Sequence, residues 1–172
     1  MATSAVVDWG AWAGLWEAIA ASPIARTVAE APWAYPALEA VHLLGIALLV
    51  GPILVFDLSV LGLTRPIDRA TAQGLLLPFV WVGFAVNVVS GGLLFASNAV
   101  EFAGNPAFLA KIALIVVAGL NAAVFQARFT ASAAPLATGH AEPQRLAEAG
   151  ALLSLVTWVA VLVAGRLIAY VG

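Results

Sequence analysis

The sequence predicts an all-α integral membrane protein, a four-helix bundle preceded by an N-terminal interfacial amphipathic helix. Of its 172 residues, 63% are hydrophobic and only 9% are charged, whereas a soluble domain has about 25% charged residues. Mean hydropathy is +1.04. So few charges could not cover a surface that faces water. Four stretches exceed the roughly 20 apolar residues that cross a bilayer, so the lipid bilayer is the expected surrounding.

The N-terminal segment, residues 1–35, is predicted to be distinct from the bundle at residues 36–172. Trp9, Trp12 and Trp16 recur at the spacing of one helical face. Tryptophan prefers the interface between membrane and water, so one interpretation is a helix that lies flat in that interface. The alternative is that the same face packs on the end of the bundle, and the sequence leaves both open.

Four predicted spans form the bundle, and short connections with loop-forming residues separate them. Asn105 is predicted to cap the third span, with Pro106 at its first helical position. Pro52 predicts a kink in the first span, because it leaves the carbonyl of Leu48 without its partner. The glycines Gly45, Gly51, Gly91, Gly92 and Gly119 predict close approach of the helices. The spans are expected at about 36–63, 75–99, 106–129 and 149–171.

The orientation follows from the arginines of the short connections. Arg65 and Arg69 lie in the first connection, and Arg128 and Arg145 flank the third. Cytoplasmic loops carry an excess of Lys and Arg. The first and third connections are therefore expected in the cytoplasm and both termini on the outer side.

Ionisable residues of three spans fall at a similar depth near that outer side. Counted at about 1.5 Å per residue, Glu39, His42, Lys111 and Arg166 lie within roughly 10 Å of the ends of their helices, and Tyr170 follows one turn after Arg166. Charged side chains in a span cost about 3 kcal/mol each and usually face the bundle. One carboxylate and two fixed cations predict a pocket with net positive charge.

Two interpretations of this pocket stay open. In the first, it binds haem b or a metal ion, with His42 as the metal ligand and Glu39, Lys111, Arg166 and Tyr170 as cofactor-binding residues. In the second, Glu39 pairs with Lys111 or Arg166 and only fixes the packing, and His42 is a hydrogen-bonded structural residue. The other histidine is His140, which is expected in the third connection, about 30 Å or more away. Two histidine ligands for one haem would then require a second subunit.

Deeper polar residues are predicted to serve structure. Amides in hydrocarbon tend to hydrogen-bond across helices. Asp57, near the inner boundary of the first span, is expected to form an interfacial ion pair with Arg65. The predicted structural polar layer contains Asn87, Ser90, Asn121 and Gln126.

Several classes of function are excluded or disfavoured. The chain has no cysteine, which rules out disulfides, thiolate metal sites and iron–sulfur clusters. Its net charge of −2 offers no basic face to nucleic acid. No phosphate-binding glycine loop and no nucleophile–base pair is visible, so no catalytic residue is assigned and an enzyme is the less favoured interpretation.

The segment Trp33-Ala-Tyr-Pro-Ala-Leu-Glu39-Ala-Val-His42-Leu-Leu-Gly45 resembles the opening of a bacterial family of small four-helix inner-membrane proteins, a domain of unknown function. The resemblance covers nearly the whole chain after the N-terminal segment, and a weaker one is to copper-resistance D-type membrane proteins. It implies a multi-pass protein of the bacterial inner membrane, but no activity; together with the orientation derived above, it predicts that both termini lie in the periplasm. Relatives often have histidine where Gln126 stands, so an inner-side ligand is missing here. Further matches are Phe56-Asp57-Leu58, Ser90-Gly91, Leu94-Phe95, Asn105-Pro106-Ala107-Phe108, Lys111, Asn121 and Ala164-Gly165-Arg166-Leu-Ile-Ala-Tyr170.

Three functional hypotheses follow. The first is a haem- or metal-binding protein for electron transfer or metal handling, with its site on the periplasmic side and a periplasmic partner protein. The second is a non-catalytic accessory subunit, as a homo-oligomer or in a membrane complex, whose polar cluster only specifies packing. The third is a protein that binds or transports lipid or a small anion, for which four helices are few unless the chain oligomerises.

Overall fold

The computed structural model describes residues 10–131 and 141–171, and the regular elements in these ranges are all helical. The predicted all-α fold is therefore confirmed. A 3₁₀ turn, Gly10–Trp12, opens the described chain, and a π-helical turn, Ala72–Leu76, joins the fourth helix to the fifth. The helices are α1 (Ala13–Ala20), α2 (Pro23–Glu30), α3 (Ala34–Val60), α4 (Arg69–Thr71), α5 (Leu77–Ser97), α6 (Ala99–Gly104), α7 (Pro106–Ala131) and α8 (Ala141–Val171).

Four helical segments are long and apolar enough to cross a membrane, and they match the four predicted spans. At most 28% of the most apolar stretch of any segment is buried. Many of the other apolar side chains face outward, as Leu44 and Val89 do with about two thirds of their surface exposed. Such a surface suits lipid and not water, so the chain is a multi-pass membrane protein. The segments are Ala34–Val60, Ala72–Ser97, Pro106–Ala127 and Gln144–Val171.

Two helical hairpins, α3 with α5 and α7 with α8, make up the bundle. The backbones of α3 and α5 approach most closely at Gly83. A Cβ atom added there would lie 2.4 Å from the backbone nitrogen of Leu49 and 2.8 Å from the carbonyl oxygen of Gly45. Gly45 is itself confirmed as a close-packing position, because its own added Cβ would meet Asn87 at 2.8 Å. Only residues without a Cβ permit this crossing.

Other glycines do not have the predicted role within this chain. Gly51, Gly92 and Gly119 have nothing within 4 Å of an added Cβ. The expectation of close packing at these three positions is therefore wrong, and α3 continues through Pro52 as one helix.

The two hairpins meet mainly where α3 packs against α8. Phe56 of α3 also meets Phe125 of α7 edge-on, with ring centroids 5.6 Å apart. Within the second hairpin, the Asn121 amide donates to the carbonyl of Gly150 at 3.0 Å. This bond joins α7 to α8 across their interface.

The entry into α5 is shaped by a cap and by a proline. Asp68 accepts hydrogen bonds from the backbone N–H of Thr71 at 2.9 Å and from its hydroxyl at 2.7 Å. Pro78 has no N–H to donate to the preceding turn, and next to it Leu77 donates to the carbonyl five residues back, at Ala72. The π-helical turn therefore lies just before Pro78, the residue that lacks a backbone N–H.

The N-terminal helices α1 and α2 cover one end of the bundle, where α5 and α8 end and α3 and α7 begin. We call this the α6 end. Ser22 caps α2 by accepting from the backbone of Ala25, which is 1% exposed against the bundle. Trp16 packs on Phe95, whereas Trp12 is 59% exposed. The predicted tryptophan face thus packs on the bundle at Trp16 and is exposed at Trp12. Trp9 lies outside the described residues.

Candidate functional site

The centre of the candidate site is a contact between α3 and α5. The Nδ1 atom of His42 lies 2.8 Å from the hydroxyl oxygen of Ser90. Ser90 in turn lies 2.6 Å from the carbonyl oxygen of Val86, to which its hydroxyl donates. A hydroxyl has one proton, and Ser90 gives it to Val86. Ser90 can therefore only accept a hydrogen bond from His42, so Nδ1 must carry a proton. This tautomer leaves Nε2 of a neutral His42 with its lone pair available.

Glycine makes room for the imidazole. A Cβ added at Gly91 would lie 3.1 Å from Cε1 of His42, closer than an ordinary contact. Asn87, one turn before Gly91, donates to the carbonyl of Gly83 in its own helix at 2.9 Å. Its buried Oδ1 has no partner. The predicted hydrogen bond across helices is therefore found for Ser90 and not for Asn87.

The Ser90–His42 pair is unsuited to nucleophilic catalysis. Ser90 is 1% exposed, and its proton is already donated to a backbone carbonyl. An attacking hydroxyl would have to be accessible and give its proton to the histidine. The geometry orients the imidazole instead.

Lys111 of α7 approaches the same level from the second hairpin. Its side chain lies against Gly165 of α8, since a Cβ added at Gly165 would be 3.7 Å from the Lys111 ammonium nitrogen. The positive charge of Lys111 acts on His42 through space. Within the described residues, no acceptor hydrogen-bonds this ammonium and no carboxylate pairs with it. The cation is half-buried and uncompensated.

The other residues of the predicted pocket are more exposed. Arg166 donates to the hydroxyl of Tyr170 at 3.0 Å, and its guanidinium lies 5.3 Å from the centre of that ring. Tyr170 is 69% exposed, and Glu39 is exposed one turn from His42. Among these described residues no ion pair joins Glu39 to Lys111 or Arg166. The structure therefore shows no such ion pair that could fix the packing of these helices.

An aromatic cluster covers the α6 end and was not predicted from the sequence. Phe108 stacks on Phe95 with centroids 5.3 Å apart and on Phe102 with centroids 5.7 Å apart. Trp16 meets Phe95 edge-on at 5.7 Å. Phe108 precedes Lys111 by one helical turn and Phe95 follows Gly91 by one turn, so the cluster lies between His42 and the nearer membrane surface.

Asn105 fixes this end in the manner predicted for a cap. Its Oδ1 accepts from the backbone N–H groups of Ala107 and Phe108, and its Nδ2 donates to the carbonyl of Ile168 in α8. Glu101 was not among the predicted site residues. It lies within electrostatic range of Tyr35, as does Glu39. Its position in α6, directly after the second span, was the available signal.

One polar residue nearer the opposite end differs from expectation. Asp57 is 6% exposed and shares a hydrogen bond with Ser154 of α8. Its Oδ2 has no partner, so the predicted interfacial ion pair with Arg65, which is exposed in the connection after α3, is wrong. Gln126 is exposed on α7. His140 lies outside the described residues.

The apolar surface beside the site contains a groove of about 350 Å³. Ser90 and Val86, which form the hydrogen-bond chain with His42, line it. The remaining lining residues are apolar: Leu38, Val41, Ala85 and Val89. No group of three or more His, Asp or Glu side chains that could hold a metal ion occurs in the part of the chain that the structure describes.

No family model matches the chain, and neither the curated proteins nor the solved structures include a match. The fold and the site by themselves define the class of the protein. It is an α-helical membrane protein with four spans and a polar site near one end. The resemblance to the small four-helix bacterial family stays a prediction.

Proposed function

We propose that this protein binds haem through His42 and serves electron transfer or metal handling at the α6 end of the bundle. The observation that carries the proposal is the chain from His42 to Ser90 to the carbonyl of Val86. Histidine ligands of metals almost always donate their other ring N–H to a fixed acceptor. Here that arrangement leaves Nε2 available as the axial ligand.

Haem fits the donor set better than a bare metal ion. A structural zinc site takes four protein ligands, and the described residues offer one histidine without a nearby cluster. A porphyrin supplies four nitrogen ligands itself, so one axial histidine suffices. The groove of about 350 Å³ next to Ser90 has the apolar lining that a porphyrin face requires.

Lys111 is the proposed partner of a haem propionate. Its ammonium lacks an acidic partner among the described residues, and its charge acts on His42. A cation in a span is costly unless it is paired, so an anionic ligand stabilises it. Arg166 with Tyr170, and Glu39, lie closer to the surface, where they bind the polar edge of the cofactor.

The proposed setting is the bacterial inner membrane, with both termini in the periplasm. The α6 end then faces a periplasmic partner protein that exchanges electrons or metal with the site. A homo-oligomer or a membrane complex is the proposed assembly, because so much apolar surface is available for contacts.

The first test is the absorption spectrum and elemental analysis of the protein purified with its native ligands. We expect a Soret band, with iron as the bound metal, and loss of both in His42→Ala. If neither haem nor metal is found and His42→Ala leaves the protein unchanged, the proposal is wrong.

A second candidate is binding of a small anion or an anionic lipid headgroup. The observation that favours it is Lys111 alone, whose uncompensated ammonium lies on Gly165. Native mass spectrometry should then detect bound phosphate or phospholipid, which Lys111→Met removes and Lys111→Arg retains. Detection of bare protein only, without haem or lipid, contradicts this candidate.

A further inference from the structure

We propose that Asp57 is the centre of a second site, near the end of the bundle opposite α6, that takes up and releases a proton. Asp57 lies in α3 where that helix packs against α8, and the residue is 6% exposed. One oxygen, Oδ2, has no hydrogen-bond partner. The carboxyl group forms a hydrogen bond with the hydroxyl of Ser154.

The surroundings of Asp57 connect it to the lipid-facing surface. Ser154 of α8 supplies a buried hydroxyl, at 8% exposure. A groove of about 80 Å³ between α3 and α8 has Asp57 in its wall. Leu54 and Val159 also line that groove and are 41% and 57% exposed. The groove therefore brings lipid-exposed apolar side chains next to Asp57, whose carboxyl oxygen Oδ2 is itself buried.

Among the side chains that the structure describes, no charge pairs with the Asp57 carboxylate. α5 has no ionisable residue, and Lys111 of α7 lies toward the opposite, α6 end. Arg145 and Glu148 precede Ser154 in α8 by more than one turn, and Arg128 stands near the end of α7. Within the described ranges, the groups that act on Asp57 are its apolar surroundings and Ser154.

These surroundings favour the neutral acid. An ionised carboxylate with a bare buried oxygen bears a desolvation cost that hydrogen bonds do not repay. Addition of a proton removes the charge and turns the bare oxygen into a hydroxyl or carbonyl of an acid. The Ser154 hydroxyl serves both states, since it donates to the carboxylate and accepts from the acid. A metal cation would need several oxygen ligands, more than the Asp57 carboxyl and the Ser154 hydroxyl provide.

The test is modification of the whole protein in detergent or nanodiscs with dicyclohexylcarbodiimide, an apolar reagent for protonated carboxyls. The acid proton passes to a carbodiimide nitrogen while the carboxyl oxygen adds to the central carbon, and the acyl group then moves to nitrogen as a stable acylurea. Peptide mass spectrometry identifies the site in the wild-type chain. We expect labelling at Asp57 that slows as the pH rises.

Exposed carboxyls provide the matched controls. Asp68 and Glu39 should escape the apolar reagent, and a water-soluble carbodiimide should show the reverse preference. Asp57→Asn should lose the label and Asp57→Glu should keep it. The proposal is overturned if the wild-type chain carries no label at Asp57 or if labelling ignores pH. It is also overturned if sodium ions protect Asp57 at constant pH, which would indicate a metal cation in place of the proton.

Discussion

His42 and Ser90 stand 48 positions apart, and their contact determines what the histidine can do. Ser90 is the acceptor that fixes the proton on Nδ1. Removal of this hydroxyl leaves a ring N–H in an apolar interface without its partner. The orientation of the imidazole therefore depends on one side chain of the neighbouring helix.

We expect Ser90→Ala to lower the stability of the bundle by about 1–3 kcal/mol, the cost of a buried donor left unsatisfied. Thermal unfolding in detergent measures the loss. Ser97→Ala is the matched control, because Ser97 is also buried but donates to Leu94 within its own helix. Equal effects of the two substitutions would contradict a special role for the His42 contact.

At this scale the sequence predicted residue types better than partners. His42 and Lys111 could be singled out because ionisable residues are rare in spans. The Ser90–His42 contact could not be derived, since it depends on the register of α3 against α5. The packing of α3 against α8 likewise buries Asp57 next to Ser154, whereas depth along the helix alone suggested an interfacial ion pair with Arg65.

The hairpin of α3 and α5 depends on Gly83, which no sequence motif indicated. An added Cβ at Gly83 would collide with the backbone of α3, which cannot move aside as a flexible side chain would. The crossing point of these helices is thus fixed by the absence of one carbon atom.

Gly83→Ala should cost about 1–3 kcal/mol through overpacking, despite the better helix propensity of alanine. Gly92→Ala is the control, since Gly92 has open space around it and alanine there should gain up to about 1 kcal/mol. Melting temperatures in detergent distinguish the two. A Gly83→Ala protein that melts at or above the wild-type temperature would mean that the helices do not cross there.

The cap of the segment that leads into α5 is expected to respond to pH. Hydrogen bonds from the side chain and backbone of Thr71 lower the pKa of Asp68 below its ordinary value of 3.8. A lowered pKa in the folded state means that the stabilisation is complete above the ordinary value and disappears as the pH falls through the lowered one. Asp68→Ala should therefore melt earlier than wild type at neutral pH, and the difference should shrink in acid. A constant difference down to strongly acidic pH would contradict the cap.

The start of α7 followed from local chemistry, which the sequence contains. Asn105 with Pro106 marked the start of α7 correctly, because cap and first turn are local. The π-helical turn before Leu77 was not predicted, since Pro78 alone is compatible with several ways of losing one hydrogen bond.

The whole molecule is two hairpins with an aromatic cluster at one end. Composition predicted the membrane and the span count, because both depend on hydrophobicity summed over about 20 residues. The pairing of hairpins depends on long-range packing of side chains such as Phe56 and Phe125. That information is not local, so the sequence left it open.

The proposed orientation can be read from single cysteines, because the chain has none of its own. Glu30→Cys marks the α6 end and Thr64→Cys marks the connection after α3, and both positions are exposed. A membrane-impermeant maleimide on intact cells with a permeable outer membrane should label Glu30→Cys and spare Thr64→Cys until lysis. The reverse pattern would place the candidate site on the cytoplasmic side.

The most direct measurement is a hemin titration of the purified protein, followed by absorption, in wild type, His42→Ala and His140→Ala. Both substitutions remove a histidine, but only His42 has the Ser90 contact that frees Nε2. We predict saturable binding with the same Soret band in wild type and His140→Ala, and its loss in His42→Ala. Binding by His42→Ala that matches wild type would contradict the haem assignment.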